Sequence, residues 1–240
     1  KVPQLVGESV HWLTRRYNNK QPFQNALDAG CGTGLAGRFL RPHVAQQLIG
    51  VDASQKMLDI AGNCTLATGC GIELLGEAAA AGVQEESSNK ALYDGLLNLD
   101  LESMTVSNTL YHKGDNDARE GSSNDDGFDL IVAADVLVYF GSLDTIMHTF
   151  AEIGAPGGFL VFSCERADDQ EAPLGWRLLP SGRFAHTKAH VVAMTRKAGY
   201  RMVKYEEIVP RMEKGKEVQG HLFALRHDDR LAKRHKKEEL

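Results

Sequence analysis

Four closely spaced glycines lie in the segment of this chain that most clearly indicates a ligand-binding site. Residues 27–37 are LDAGCGTGLAG, directly behind an apolar run and with Asp28 as the acidic member. Glycine lets a backbone approach a ligand closely, and the start of a helix presents free N–H groups. The segment therefore predicts a ligand site at the first strand-to-helix turn of an α/β sheet.

The glycines allow two ligand classes. Gly32, Gly34 and Gly37 spell G-x-G-x-x-G, which together with an acidic residue closing the second strand, Asp52, is typical of a dinucleotide site. In the alternative alignment the motif begins at Asp28, and Gly30, Gly32 and Gly34 follow at every second position. The carboxylate of Asp28 would repel a pyrophosphate, but it would accept hydrogen bonds from an ammonium group or from water bound to one. S-adenosylmethionine (SAM) carries that ammonium group and no phosphate, so the carboxylate favours SAM over a nicotinamide dinucleotide.

Apolar strand-like runs alternate with helical patterns along the chain, which is typical of a parallel sheet covered by helices. Residues 2–17 predict an amphipathic helix, and further helices are predicted to begin near Leu35, Ser54, Ser142 and His186. The last two predicted strands are joined by the polar segment PRMEKGKEVQ, which is too short for a crossover helix, so they should pair antiparallel. The predicted strands are 25–28, 47–52, 95–100, 128–134, 158–164, 202–209 and 220–226. The predicted fold class is α/β, a seven-stranded mostly parallel Rossmann-like sheet with helices on both faces and an antiparallel last strand.

Length and composition predict one domain over residues 1–240, because the chain has 240 residues and is 42% hydrophobic and 25% charged. Two polar or small-residue segments, at about 62–91 and 103–127, predict surface insertions in that domain. A formal net charge of -5 argues against nucleic acid as the partner.

The chain lacks an apolar stretch of the ~20 residues that a membrane helix requires, so no membrane partner is expected. Its 4 cysteines contain no CxxC pair, which indicates neither a disulfide framework nor a thiolate zinc site. A reducing, cytoplasmic location is therefore expected. The chain begins at Lys1 rather than Met, and a preceding targeting segment is left open.

Five motifs resemble, in order and spacing, those of the class I Rossmann-like SAM-dependent methyltransferases: LDAGCGTG, LIGVDASQKML, LLNLDLE, FDLIVAADVLVYF and APGGFLVFS. Two further segments, SGRFAH and GHLFAL, resemble a group of predicted methyltransferases often fused to TPR repeats. The resemblance implies SAM as the cofactor, with Asp52 on the ribose, Met57 against the adenine and Asp100 near the adenine amino group. The implied cofactor-binding residues are Asp28, Gly30, Gly32, Gly34, Asp52, Ala53, Met57, Asp100, Leu101 and Ala133.

The candidates for catalysis follow the fourth and fifth predicted strands, where ligands converge in open α/β sheets. They are Asp135 and Tyr139 after the fourth strand and Arg183 and His186 after the fifth. His186 is either a general base or a histidine with a structural hydrogen bond. Arg183 suits a carboxylate or phosphate on the acceptor. No metal is expected, because the carboxylates there lack the asparagine and the spacing of metal-dependent catechol-type enzymes.

The sequence thus predicts a SAM-dependent methyltransferase of unidentified acceptor. The acidic balance favours a small molecule over a macromolecule. Two alternatives stay open, an NAD(P)-dependent oxidoreductase on the same fold and a SAM-binding regulatory protein without turnover. The oligomeric state is not predicted.

Overall fold

The structure, a computed structural model, describes residues 1–66, 90–109 and 127–228. The two predicted insertions lie mostly outside these residues and stay predictions, as does the single-domain assignment. Within the described residues, no helix is both long enough and apolar enough to span a membrane.

The strands of the described residues form one sheet. The strand bounds are β1 Phe23–Ala29, β2 Val44–Asp52, β3 Gly95–Asn98, β4 Phe128–Ala133, β5 Gly154–Arg166, β6 Trp176–Leu178, β7 Phe184–His186, β8 Tyr200–Glu213 and β9 Lys216–His227. The first five lie in the order β3-β2-β1-β4-β5. Beyond β5 the sheet divides. The strand β9 pairs antiparallel with β5 and carries β8 on its other side, while β7 pairs parallel with the carboxyl end of β5 and carries β6.

The α/β class, the mostly parallel sheet and its antiparallel last strand are confirmed. The structure adds β6 and β7, which the sequence did not predict because each has only three residues, too few to show an alternating pattern. The connection between the last two strands is also shorter than predicted. Both strands continue into the polar segment and leave a two-residue turn at 214–215.

Helices cover both faces of the sheet. They are α1 Val2–Tyr17, α2 Gly37–Leu40, α3 Gln55–Ala61, α4 Val106–Thr109, α5 Asp144–Ile153 and α6 Lys188–Lys197, with 3₁₀ helices at Arg41–His43, Leu101–Ser103 and Leu137–Tyr139. The helix α1 has the predicted bounds. The helix α2 has only four residues, since Pro42 follows it closely and cannot donate a backbone hydrogen bond to continue it.

Two hydrophobic cores lie on opposite faces of the sheet, as the alternation of strand side chains requires. In β1, Ala26 belongs to the core under α1, and Leu27 belongs to the core under α5 and α6. The apolar stripe of α1 buries Val6, Val10 and Leu13 completely. Each such side chain contributes about 1.5–3 kcal/mol when buried, so α1 is firmly held with its first residues at the carboxyl edge of the sheet.

Candidate functional site

A cavity of about 580 Å³ lies where the carboxyl ends of the strands meet, which is the usual position of a ligand in an open α/β sheet. One part, here called the glycine side, is lined by residues at the carboxyl ends of β1 and β2 and in the segments that follow them: Asp28, Gly30, Gly32, Asp52 and Met57. The other part, here called the hairpin side, is lined by residues behind β4 and from β8: Asp135, Tyr139, Pro210 and Arg211.

The glycine side begins with a turn that requires glycine. Gly30 has a φ of 71° and Gly32 a φ of 54°, in the left-handed region that other residues enter only at a cost. A β-carbon on Gly30 would overlap the side chain of Val136, whereas one on Gly32 would meet no atom within 4 Å. Gly30 therefore permits packing within the protein, and Gly32 leaves open space next to the cavity.

The carboxylate of Asp52 fastens the glycine turn to the second strand. Its Oδ2 accepts the backbone N–H of Gly32 at 2.9 Å, and its Oδ1 accepts the backbone N–H of Ser54 at 2.8 Å. Each carboxylate oxygen can accept a further hydrogen bond. Asp52 lines the cavity and is thus oriented to receive donors from a ligand, such as the two hydroxyls of a ribose.

Asp28 forms the buried acidic floor of the cavity. It is 0% exposed, and its Oδ2 accepts the hydroxyl of Tyr93 at 2.6 Å. Burial raises its pKa to about 7, against the lowering effect of the Tyr93 hydrogen bond and with a further raising effect from the charge of Asp52. Its Oδ1 is buried and has no hydrogen-bond partner among the described residues. Such an oxygen fits an ammonium group, or water bound to one.

Tyr93 belongs to the site although no sequence pattern predicts it; it precedes β3 and reaches under the glycine turn. The ring packs where Gly37 lacks a side chain, since a β-carbon there would lie 2.6 Å from the Tyr93 hydroxyl oxygen. No motif marks this tyrosine, because its partner Asp28 is distant in sequence and the contact arises only when β1, β2 and β3 are assembled.

On the hairpin side, Asp135 and Tyr139 line the cavity, as Arg211 does from β8. Tyr139 is 63% exposed, so its hydroxyl lies at an open edge of the cavity. Arg211 was also missed by sequence analysis. Its Nη1 lies 2.6 Å from Oε1 of Glu165, a buried residue at the carboxyl end of β5.

The structure does not bring His186 to the cavity. The residue is 0% exposed, and its Nε2 lies 2.9 Å from the carbonyl oxygen of Phe140 and 3.0 Å from that of Gly141. Two acceptors at one nitrogen require that Nε2 carries the proton and donates it. Burial, partly offset by these two carbonyl groups, lowers the pKa of His186 to about 4. The geometry is that of the structural alternative, and we leave His186 out of the proposed site.

Arg183 also lies outside the cavity lining. Its Nη1 is 3.7 Å from Oε1 of Glu165, so its charge faces a carboxylate of the protein itself. The predicted role of Arg183 toward an anionic acceptor therefore has no support in its position.

Five predicted cofactor residues are likewise absent from the cavity lining: Gly34, Ala53, Asp100, Leu101 and Ala133. Asp100 caps the adjacent 3₁₀ helix by accepting the N–H of Glu102 at 2.8 Å, and Leu101 and Ala133 are buried in the core under α5. Their roles toward a cofactor stay predictions.

Within the described ranges, no group of three or more histidine, cysteine or acidic side chains is arranged to hold a metal ion. Cys31 and Cys164 are free and buried, and burial raises the pKa of both thiols far above the ordinary value. Cys64 is disulfide-bonded, which differs from the expectation that the cysteines form no disulfide framework.

The mostly parallel sheet with an antiparallel last strand, and a cavity over its carboxyl edge, define a Rossmann-like ligand-binding fold. A sequence model of the family described as methyltransferase domain matches residues 7–204, which is most of the chain. The protein therefore belongs to the methyltransferase-domain family. No curated protein matches the sequence significantly.

Solved structures of SAM-dependent methyltransferases share this fold. Magnesium protoporphyrin IX methyltransferase from Synechocystis, solved with bound SAM, is 16% identical over 94% of this chain and 79% of its own, with a TM-score of 0.56. The N-methyltransferase NodS from Bradyrhizobium japonicum is 18% identical over 92% of this chain and 95% of its own, with a TM-score of 0.52. The 1,6-didemethyltoxoflavin-N1-methyltransferase from Burkholderia thailandensis is 13% identical over 95% and 79%, with a TM-score of 0.57. At these identities the likeness establishes the fold, which is that of class I methyltransferases.

Proposed function

We propose that this protein transfers the methyl group of SAM to a small-molecule acceptor. The observation that carries the proposal is the glycine side of the cavity, where the buried Asp28 presents an unpartnered oxygen beneath a glycine turn that Asp52 fastens. The methyltransferase-domain family supports this cofactor, and so do structural neighbours solved with SAM or its demethylated product, S-adenosylhomocysteine (SAH).

The residues present fit SAM better than a dinucleotide. The two carboxylates of the glycine side, Asp28 and Asp52, suit the ammonium group and the ribose hydroxyls of SAM, and the side chain of Met57 offers an apolar surface for the adenine. A pyrophosphate on the same turn would lie close to the carboxylate of Asp28, which argues against the NAD(P)-dependent alternative.

In methyl transfer the protein must mainly orient the acceptor toward the methyl group and exclude water from the site. Bound SAM supplies an electrophilic methyl group, so a correctly placed acceptor needs little further activation. We place the acceptor on the hairpin side, among Asp135, Tyr139 and Arg211, because this part of the cavity adjoins the glycine side and can hold a small molecule. Structural neighbours that are named for small-molecule substrates, the protoporphyrin and toxoflavin methyltransferases, support an acceptor of that size.

The cofactor assignment is tested by calorimetric titration with SAM, SAH and NAD⁺. SAM and SAH should bind and raise the melting temperature, as any ligand of the native state does. Asp52→Ala should weaken SAH binding by about 1.5–3 kcal/mol, the usual contribution of hydrogen bonds to a charged group.

The matched control is Asp169→Ala, which removes an exposed carboxylate that does not line the cavity. It should leave SAH binding unchanged. Binding of NAD⁺ without SAH, or full SAH affinity in a folded Asp52→Ala variant, would refute the assignment. Tight SAM binding without single-turnover methylation of any small-molecule acceptor would instead favour the regulatory alternative.

A further inference from the structure

Asp135 is a carboxylate of the hairpin side without a side-chain partner among the described residues. Its backbone has a φ of 58°, a left-handed conformation that costs a non-glycine residue energy and persists where its surroundings enforce it. Its N–H donates to the hydroxyl oxygen of the buried Ser163 at 2.9 Å, which holds this conformation from β5. The side chain lines the cavity, and its carboxylate makes no hydrogen bond or ion pair with the described part of the chain.

The cation opposite Asp135 is Arg211, which a bulge in β8 directs to the cavity. Ile208 pairs with Gly220 and Arg211 with Val218, so β8 contains one residue more than β9 over this stretch. A β-bulge of this kind redirects the following side chain. The extra stretch contains Pro210, which packs where Gly220 has no side chain, since a β-carbon there would lie 3.0 Å from the proline ring.

The guanidinium of Arg211 is already neutralised within the protein. Its Nη1 lies 2.6 Å from Oε1 of Glu165, which is 2% exposed, and its Nη2 lies 3.0 Å from Oε2 of Glu213. Burial lowers the pKa of Arg211, but the bonds to both glutamates and the charge of Asp135 outweigh it, and the pKa is raised. Arg183 adds a second cation near Glu165 at 3.7 Å. Neither arginine is therefore free to pair with an anionic acceptor.

The cavity and its ion pairs carry more negative than positive groups. The carboxylates are Asp28, Asp52, Asp135, Glu165 and Glu213, whereas the cations are Lys1, Arg183 and Arg211. Asp28, whose pKa is raised to about 7, carries only part of a negative charge at neutral pH, and SAM, with a sulfonium, an ammonium and a carboxylate, adds one net positive charge. The repulsion of an anionic acceptor therefore comes from Asp135, whose carboxylate has no hydrogen-bond or ion-pair partner among the described residues and would attract a cationic group.

We propose that the acceptor is a small amine that binds as its ammonium form, with one N–H donating a hydrogen bond to the carboxylate of Asp135. For methyl transfer, Asp135 would take the proton that this ammonium must lose to expose its lone pair. The N–C bond to the methyl group would then form as the S–C bond of SAM breaks, with the electron pair of that bond staying on sulfur to give SAH. This inference rests on the proposed function, and it adds the chemical class of the acceptor. Asp135 is the residue that selects this class of acceptor. The ion pair with Glu165 neutralises the guanidinium of Arg211, which would otherwise be available to bind the carboxylate of an anionic acceptor.

The test measures probe binding without turnover. SAH binding to the wild type is measured first. SAH-saturated protein is then titrated at neutral pH with two series, each consisting of an amine, an alcohol and a carboxylate of similar size. The aromatic series is 2-phenylethylamine, 2-phenylethanol and 3-phenylpropanoate. The aliphatic series is propylamine, propanol and butanoate. At least one amine should bind about 10-fold or more tightly than the alcohol and the carboxylate of its series, as a charge-assisted hydrogen bond predicts.

The variant Asp135→Asn should lose this amine preference and retain its affinity for SAH, whereas Asp169→Asn, the same change at an exposed site outside the cavity, should keep both. Equal binding within both series, tighter binding of a carboxylate, no binding of either amine, or an amine preference that survives Asp135→Asn would overturn the amine inference. Absence of SAH binding would instead overturn the proposed function, so the two failures are distinguishable.

Discussion

The glycine side and the hairpin side of the cavity are built in different ways. On the glycine side, Asp28 and Asp52 lie at the carboxyl ends of the adjacent parallel strands β1 and β2, the turn directly follows β1, and backbone N–H groups orient the carboxylate of Asp52. On the hairpin side, Asp135 follows β4 while Glu165 and Arg211 come from β5 and β8, and a side-chain ion pair joins the last two. The glycine side thus depends on short segments of chain, and the hairpin side on the assembly of distant ones.

This difference suggests how the two sides could diverge in function. A site made of backbone groups at the ends of a sheet tolerates few substitutions, because the fold itself fixes it. A site made of side chains on a hairpin can change its charge pattern by substitution while the sheet stays intact. We therefore expect a change at Gly30, where a β-carbon would overlap Val136, to alter stability and cofactor binding together. Changes on the hairpin side, or at Gly32, where a β-carbon would meet no atom within 4 Å, should separate the two.

The largest effect is expected at Asp28, through the pH dependence of folding. Its pKa is raised to about 7 in the folded protein by burial, so the folded state keeps a proton that the unfolded state has released above about pH 4. The stabilising contribution of this protonated carboxyl is fully present at low pH and is lost as the pH rises toward 7. Relative to Asp28→Asn, the ligand-free wild type should lose about 3 kcal/mol of unfolding free energy between pH 5 and pH 8.

Urea unfolding of both proteins over this pH range measures the difference. Saturating SAH should reduce it, because a ligand ammonium near the carboxylate favours the ionised form. Parallel pH profiles for the wild type and Asp28→Asn would show that Asp28 does not titrate in this range, and would remove the electrostatic basis for its role on the glycine side.

A smaller effect is expected at His186, behind the hairpin side. His186→Ala removes the N–H that donates to the carbonyl groups of Phe140 and Gly141, and should cost about 2 kcal/mol of unfolding free energy. Because the folded-state pKa is lowered to about 4, the neutral ring stabilises the protein above the ordinary histidine pKa, and this contribution is lost as the pH falls from about 6.5 toward 4. The variant should lack that acid sensitivity.

Thermal and urea unfolding check this expectation, with His11→Ala, a change at an exposed histidine of α1, as the matched control. The affinity of His186→Ala for SAH should equal that of the wild type, since the ring does not line the cavity. Unchanged stability with a large loss of turnover would restore the general-base hypothesis.

The same contrast explains what could be predicted from the sequence. The sequence predicts the seven strands of four or more residues, because each contains an apolar run that ends at a polar or glycine position. The glycine side is also predicted, because its residues lie at the ends of the first two of these runs or directly after them. Tyr93 and Arg211 were not predicted, since one depends on how three strands pack and the other on a bulge that shifts the register of β8 by one residue. The bond of His186 to two carbonyl groups depends likewise on β7, a strand too short to show a pattern.

The smallest effect on folding is expected at Gly32, and it gives the sharpest test of the glycine side. A β-carbon at Gly32 would meet no atom of the protein within 4 Å, so Gly32→Ala bears only the strain of a φ of 54°, about 1 kcal/mol. At Gly30 the same change overlaps Val136, and folding itself should suffer. If the space beside Gly32 exists for a ligand, Gly32→Ala should stay folded and yet bind SAH about 10-fold or more weakly, because the added methyl group occupies volume that the ligand needs.

Calorimetric titration of the folded Gly32→Ala variant with SAH measures this loss of affinity directly. Undiminished SAH affinity would mean that the glycine at this position serves only the backbone conformation of the turn, and the close approach of the cofactor would have to be sought elsewhere along the cavity.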